Sequence, residues 1–525
     1  MSTAVVLFTR DLRLHDQPAL AAAARETDEI VPLFVFDPAV LERFGVPNRV
    51  AFLLDALGDL RTSLAARGGA LALRRGDVVE QTLAVAAEAH ANSVFLRDDV
   101  SAYSRSRERR LRAACEEQRI ELRPFPGVTV VPPGDLAPAG SDHYRVFTPY
   151  WRQWRSEPRR DRARVPDRLP FSQGVAPGDL PALAELGLGA ASLDLPQGGE
   201  TEGRRRLARW LARGVLDYGR LHDDLASDAT SRLSPYLHFG CLSPLEVVER
   251  ALERDGLDGN GAEQFVRQLC WRDFYAQLLS ANPGTPREDF TPRGRAWRDD
   301  EEALAAWQEG RTGYPVVDAG MRQLLREGFM HNRARLITAS FLTKDLHVDW
   351  RLGAAHFFRL LVDGDLASNV GNWQWTAGTG VDPRQHRIFN PTLQAKRFDP
   401  RATTSGATCP SWPASRGRRS IGPGSCPSPS VGHSTIPIRW STTTLPPPSS
   451  ATGARVALLP SSDGRIGART EGSDHQFEVG ATRARAWRTM ATRVARTSSG
   501  VTTVSGKPRR TTLRPCAVAV TTSKP

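Results

Sequence analysis

Five short segments concentrate residue types that bind charged or redox-active groups. Thr230-Ser231-Arg232-Leu233-Ser234-Pro235 sets hydroxyls, an arginine and a proline side by side. Hydroxyls and backbone N–H groups at a helix start bind phosphate oxygens well, although the segment reads equally as an ordinary capped helix. Cys270–Tyr275 contributes Trp271, Arg272 and Asp273, and Met330–Arg335 contributes His331, Asn332, Arg333 and Arg335. Asp363-Gly364-Asp365 runs on to Asn369, and Trp373-Gln374-Trp375 follows. The two aspartates have the chemistry of metal ligands, but the later acidic positions of an EF-hand loop are missing. Hydrogen bonds to ribose or ring N–H groups suit them at least as well.

The elements that must position these residues change character along the chain. Over residues 1–130, short apolar runs at Ala4–Phe8, Ile30–Phe36, Ala70–Leu73 and Ser93–Leu96 predict strands. Helical patterns at Pro18–Arg25, Val50–Arg67, Val79–His90 and Arg105–Gln118 separate them. That alternation predicts an α/β domain built on a doubly wound parallel sheet, with functional residues beyond the strands' C-terminal ends. No G-x-G-x-x-G follows the first strand, which instead enters Thr9-Arg10-Asp11-Leu12-Arg13. Residues 131–200 are rich in Pro, Gly and charge and read as an interdomain connector. Residues 201–400 carry helical periodicity almost throughout, including Thr201–Leu216, Gly261–Ser280, Val316–Glu327 and Leu352–Leu361, and predict an all-α domain.

After Pro400 the periodicity vanishes and Ser, Thr, Pro, Arg and Gly dominate, so residues 401–525 read as a disordered basic tail. The charge of the chain lies there. Of 70 Lys/Arg and 58 Asp/Glu, the tail holds 18 basic residues against four acids, leaving the first 400 residues with 52 and 54. The net charge of +12 therefore says nothing about nucleic-acid binding by the body. The six cysteines form no C-x-x-C pair and join no Cys/His cluster, so no metal site is expected. No apolar run is long enough for a membrane span and no secretory leader opens the chain, which predicts a cytoplasmic protein.

Taken together, the five segments, with Leu7–Leu20 at the N-terminus, resemble the photolyase/cryptochrome family over about residues 3–400. The resemblance is nearest to class I cyclobutane pyrimidine dimer photolyases. It implies a reduced FAD held in a U shape by Tyr218, Thr230, Ser231, Arg232, Leu233, Ser234, Arg272, Asn332, Arg335, Asp363, Asp365 and Asn369. Asp363 and Arg335 would form a buried pair beside the ring, with Asn369 at flavin N5, where an amide favours repair over signalling. Trp307, Trp350 and Trp373 match an electron-transfer triad from the surface to the flavin. The implied partner is UV-damaged DNA containing pyrimidine dimers, with a flipped lesion against Trp271 and Trp375. Gln268, Arg272, Asn332, Arg333 and Gln394 would serve as lesion or backbone contacts. The implied protein is a monomeric lyase cleaving carbon–carbon bonds; the alternatives are a cryptochrome-type blue-light sensor and a non-functional gene product.

Some positions depart from the pattern. Gln268 stands where dimer photolyases often have Glu, Leu336 replaces a common Met, and Phe265 and Phe329 replace common tryptophans. Asp99–Arg107, with Tyr103 and Phe34, resembles an antenna site for a deazaflavin rather than a folate, because Arg107 replaces the Glu of folate-binding relatives. The tail departs completely. Regrouping each codon's third base with the next two reads DYVRRYVPELA over Ala402–Pro413, HRPWELP over Ser420–Pro427 and LDYPDPMVDH over His433–Thr443. These family-like segments predict a reading-frame slip near residue 401.

Overall fold

A computed structural model describes residues 2–255, 260–381, 387–401 and 404. The predicted basic tail, apart from Arg401 and Thr404, and with it Cys409, Cys426 and Cys516, lies outside the described residues.

Five strands form among the described residues, three of them where β-branched or aromatic residues run together. They are β1 (Thr3–Phe8), β2 (Glu29–Phe36), β3 (Ala72–Arg75), β4 (Ser93–Arg97) and β5 (Glu121–Phe125). All pairings are parallel and the order is β3-β2-β1-β4-β5. Helices α1 (Pro18–Glu26), α2 (Pro38–Phe44), α3 (Pro47–Ala65), α4 (Val78–Glu88) and α5 (Ala102–Glu117) accompany the sheet. The order reverses at β1, so a crevice opens beyond the carboxyl ends of β1 and its neighbours. The strand β5 escaped prediction because it is an edge: Glu-Leu-Arg-Pro-Phe is half exposed, and Pro124 is tolerated where a ladder partner is missing. Helix α2 is short and buries none of its residues fully, so it carries no periodic signal.

The predicted connector contains α6 (Phe147–Ser156), whose Phe147, Tyr150, Trp151 and Trp154 are buried. Asp273 ties it down, accepting from Val130 N, Val131 N and Trp154 Nε1 at 2.9–3.1 Å. The helical region follows as α7 (Glu200–Arg209), α8 (Val215–Leu221), α9 (Ser234–His238), α10 (Pro244–Asp255), α11 (Asn260–Ala281), α12 (Glu301–Gln308), α13 (Pro315–Glu327), α14 (Asn332–Ser340), α15 (Trp350–Leu360), α16 (Leu366–Ala377) and α17 (Pro391–Phe398). The single helix predicted over Thr201–Leu216 is interrupted by a wide turn at Trp210–Gly214, one of two such π-helical turns among the described residues. A Cβ at Gly214 would fall 2.2 Å from the Trp210 ring, which explains the small residue there.

The sheet and the helices meet without room to spare. Leu12 N donates to Phe239 O at 3.2 Å. The buried Arg13 guanidinium donates to the carbonyls of Asp16 and Gly240. Gly240 has φ +65°, and a Cβ there would lie 2.0 Å from the Arg10 carbonyl oxygen. Only glycine permits both the left-handed backbone and that approach.

Candidate functional site

Two cavities flank this junction. The first opens at the carboxyl ends of β1 and β2 and the start of α5, with a volume of about 220 Å³. Phe34, Asp99, Tyr103 and Arg107, all predicted from sequence for this position, line it together. Phe44, Phe358 and Leu53 supply an apolar wall. The Tyr103 hydroxyl donates to Asp37 Oδ2 at 2.5 Å, and burial first, then that carboxylate, raises its pKa. Asp99 stays below the usual carboxylate range because Arg10, Arg97 and Arg107 outweigh the cost of burying it.

The second cavity lies among α14, α15 and α16. Asn332, Arg335, Asp363, Asp365, Asn369 and Trp373 all line it. Arg335 Nη2 donates to both oxygens of Asp363 at 3.1 and 2.8 Å, and Ser234 Oγ reaches Asp363 Oδ2 at 2.5 Å. One turn into α16, Asn369 Nδ2 donates to Ala354 O at 3.0 Å, which orients its amide. Asp365 caps α16 through Ser368 N at 2.9 Å.

Other predicted residues surround this core with varied engagement. Thr230 Oγ1 is buried and has no hydrogen-bond partner, the state expected of a hydroxyl built for a ligand oxygen. Arg232 has φ +49° and is committed to Asp228 and Glu327. Leu233 is buried, its N–H 3.4 Å from Ser231 Oγ. The half-buried Tyr218 packs on Trp210 and Phe265. Arg272 is held by the carbonyls of Val128 and Leu237. Arg333 forms a two-point pair with Asp223 at 3.0 and 2.6 Å, so a nucleic-acid phosphate must compete with that carboxylate. Gln268 is exposed, whereas Trp271 already stacks one face on Phe147 at 3.6 Å. Trp375 lies under Arg387, 4.8 Å from its ring centre, and Gln394 Oε1 is buried without a partner.

The tryptophans require a correction. A relay from the surface must end at the surface, yet Trp307 is 0% exposed. It also sits 6.0 Å from Trp373, beside the inner member rather than third in line. Its indole N–H is spent on Thr338 O. The half-buried Trp297 is the tryptophan that sequence reasoning missed. Arg298 N bonds His347 O at 2.8 Å, which brings Trp297 close to the Val348-Asp349-Trp350 segment. Trp297 packs on the same apolar cluster as Trp350 and Trp373. Its irregular surroundings, free of helical periodicity, hid it.

Among the described residues there is no group of three or more His, Cys, Asp or Glu that could hold a metal, and no helix able to cross a membrane. Cys115, Cys241 and Cys270 are buried and free, and burial raises the pKa of each thiol.

A doubly wound sheet with a cavity at its reversal point, joined to a helical domain with a charged, tryptophan-backed cleft, defines a mixed α/β and all-α architecture. Sequence profiles agree: DNA photolyase matches residues 4–170, and the FAD binding domain of DNA photolyase matches residues 265–411. The deoxyribodipyrimidine photo-lyase of Streptomyces griseus is 50% identical over 407 residues, covering 76% of this chain and 88% of the relative. That of Escherichia coli K12 is 36% identical over 416 residues, covering 76% and 87%. Among solved structures, a class III photolyase from Agrobacterium tumefaciens superposes with a TM-score of 0.71 at 31% identity, covering 78% of this chain and 87% of that one. A Synechocystis cryptochrome gives 0.72 at 30% identity, covering 78% and 89%. The chain belongs to the DNA photolyase family.

Proposed function

We propose that this protein repairs cyclobutane pyrimidine dimers in UV-damaged DNA, driven by light. The observation that carries the reading is the cleft where Asp363, Arg335, Asn369 and Trp373 converge within an FAD-binding domain. The donor set fits FAD: an unpartnered Thr230 hydroxyl for phosphate, carboxylates for ring or ribose N–H and O–H groups, and a fixed amide. Bound FAD supplies the light absorption and the transferable electron.

The chain's own residues do the rest. Arg335 and Asp363 set a fixed charge pair at the cleft, and Ser234 fixes the carboxylate's second oxygen. Asn369 spends one N–H on Ala354, which fixes the amide and leaves its carbonyl oxygen to accept from a protonated N5 and its second N–H to donate. An amide able to accept from N5 suits a reduced flavin and repair better than a sensor. Trp373 lines the cleft, Trp350 is buried in the same apolar cluster and the half-buried Trp297 packs against it, which supports an indole series from the cleft to the surface. Trp271 and Trp375 offer ring faces to unstacked bases, whose lost pairing at a lesion lowers the cost of flipping.

The division into a 1–130 antenna domain, a 131–200 connector and a 201–400 flavin domain belongs to the same reading. So do a deazaflavin in the first cavity and a monomeric state. Aromatic Phe34 and Phe44 beside Asp99, Tyr103 and Arg107 support an aromatic antenna with a polar edge. The test is the full chain reconstituted with FAD and given oligonucleotides carrying either a cyclobutane dimer or a six-four lesion. Light-dependent loss of the dimer alone supports the proposal. Flavin binding with no repair of either lesion would leave the sensor reading.

A further inference from the structure

Arg10 lines the first cavity and reaches the second through Asp365. It lines the first cavity with Asp99, and its Nε lies 3.2 Å from Asp99 Oδ2, close enough for an ion pair though not aligned as a hydrogen bond. Its Nη1 donates to Asp365 Oδ2 at 3.2 Å across a sequence separation of 355 residues. Asp365 divides its oxygens: Oδ2 takes Arg10, while Oδ1 caps the first turn of α16. That helix carries Asn369, Trp373 and Trp375. Gly364, next to Asp365, lines both cavities. The Arg10 backbone cannot drift, because Gly240 packs against its carbonyl.

We propose that Arg10, a residue of the sheet domain, is a positioning residue of the flavin site that holds the Asp365 carboxylate ionised and seated as the cap of α16. The proposal rests on the flavin reading of the cleft, but its charge argument does not.

The groups facing Asp365 come from several elements. Arg10 arrives from the turn after β1, Arg272 from α11 and His238 from α9, while Asp363 and the Ser368 N–H lie on its own segment. Burial opposes ionisation of Asp365, and the charges of Arg10 and then Arg272 hold it below the usual carboxylate range regardless. His238 does not replace Arg10, since burial and the charges of Arg49 and Arg272, which remain when Arg10 is removed, oppose protonation of its imidazole. Arg272 is already bound to the carbonyls of Val128 and Leu237.

The sign follows. A carboxylate with a lowered folded-state pKa contributes stability above its unfolded value and loses it as pH falls through the folded value. Removing Arg10 raises that folded value, so the loss arrives at higher pH. A single opposite charge at this range is worth about 1–3 pH units.

Full-length protein carrying FAD is titrated from pH 8 to 2 by the fluorescence of released flavin, as wild type, Arg10→Met and Arg10→Lys. Arg10→Met is expected to raise the acid midpoint of release by about one unit or more, and Arg10→Lys to recover most of the shift. Loss of packing alone would weaken FAD affinity by the same factor at pH 8 as at lower pH, so the midpoint is read from affinities each normalised to its own value at pH 8. A folded Arg10→Met with the wild-type midpoint overturns the proposal. A second measurement needs no flavin: the pH dependence of thermal unfolding, each chain against its Asp365→Asn counterpart. The Asp365 contribution should vanish at higher pH in Arg10→Met than in wild type; coincident curves overturn the proposal. If the wild type binds no FAD, the flavin reading fails while this second comparison still decides the role of Arg10.

Discussion

Cutting the Asp363–Arg335 pair tests the cleft most directly. Asp363 accepts from Arg335 at 2.8 and 3.1 Å and from Ser234 at 2.5 Å. Its side chain is 4% exposed, against 24% for Arg335. Removing one partner of a fully buried pair costs about 3–5 kcal/mol. Arg335 retains a path to water, so Asp363→Ala is expected to cost about 2–3 kcal/mol, within the range of one or two charged hydrogen bonds. Asp363→Asn keeps the volume and the Ser234 contact and should cost about half of that. Arg335→Gln strands the more deeply buried carboxylate with only Ser234 and is expected to cost the most, about 3–4 kcal/mol. Urea unfolding of both single variants and the double gives a coupling energy, expected near 1.5 kcal/mol. FAD affinity, followed by quenching of flavin fluorescence, should drop about 10- to 30-fold in Asp363→Asn, at 1.4 kcal/mol per tenfold. Single losses below about 0.5 kcal/mol that simply add in the double variant would refute the idea that this pair organises the cleft.

Three further outcomes follow from the geometry. Trp297→Phe and Trp373→Phe should each sharply slow flavin photoreduction under blue light with external reductant, whereas Trp307→Phe should leave most of it; equal loss in all three would restore Trp307 to the relay. Burial pushes the Asp273 carboxyl up to about 6 from an ordinary value of 3.8, so its ionisation between those values costs the folded state stability as pH rises. The stability of Asp273→Asn relative to wild type should therefore improve from pH 4.5 to 7.5, by about 2 kcal/mol; a pH-independent difference contradicts this. Ile388 and Leu393 are 59% and 62% exposed at the end of the helical region. Replacing the residues after Arg401 with the sequence of the alternative reading frame should cover them and raise the melting temperature by several degrees; an unchanged or lower value argues against the frame slip.

Much of the sheet domain was legible because its strands are buried and its helices amphipathic. The apolar runs at Ala4–Phe8, Ile30–Phe36 and Ser93–Leu96 fall within one residue of β1, β2 and β4. Period and hydrophobicity are local properties, so they survive in one dimension. β5 and α2 did not, since an exposed edge and a marginal helix need no apolar pattern. The chemistry of the cleft was also legible, because Thr230–Ser234, Asn332–Arg335 and Asp363–Asn369 are dense clusters of uncommon residue types.

Tertiary structure alone decided how those clusters are used. Sequence cannot tell a tryptophan in the core from one half at the surface, so only packing separates Trp307 from Trp297. Nor can it show that Arg232 and Arg333 are already paired with carboxylates, or that Arg10 reaches across 355 positions to Asp365. Those facts depend on contacts between elements distant in the chain. Residue type sets what a side chain can do, and burial and neighbours set whether it is free to do it.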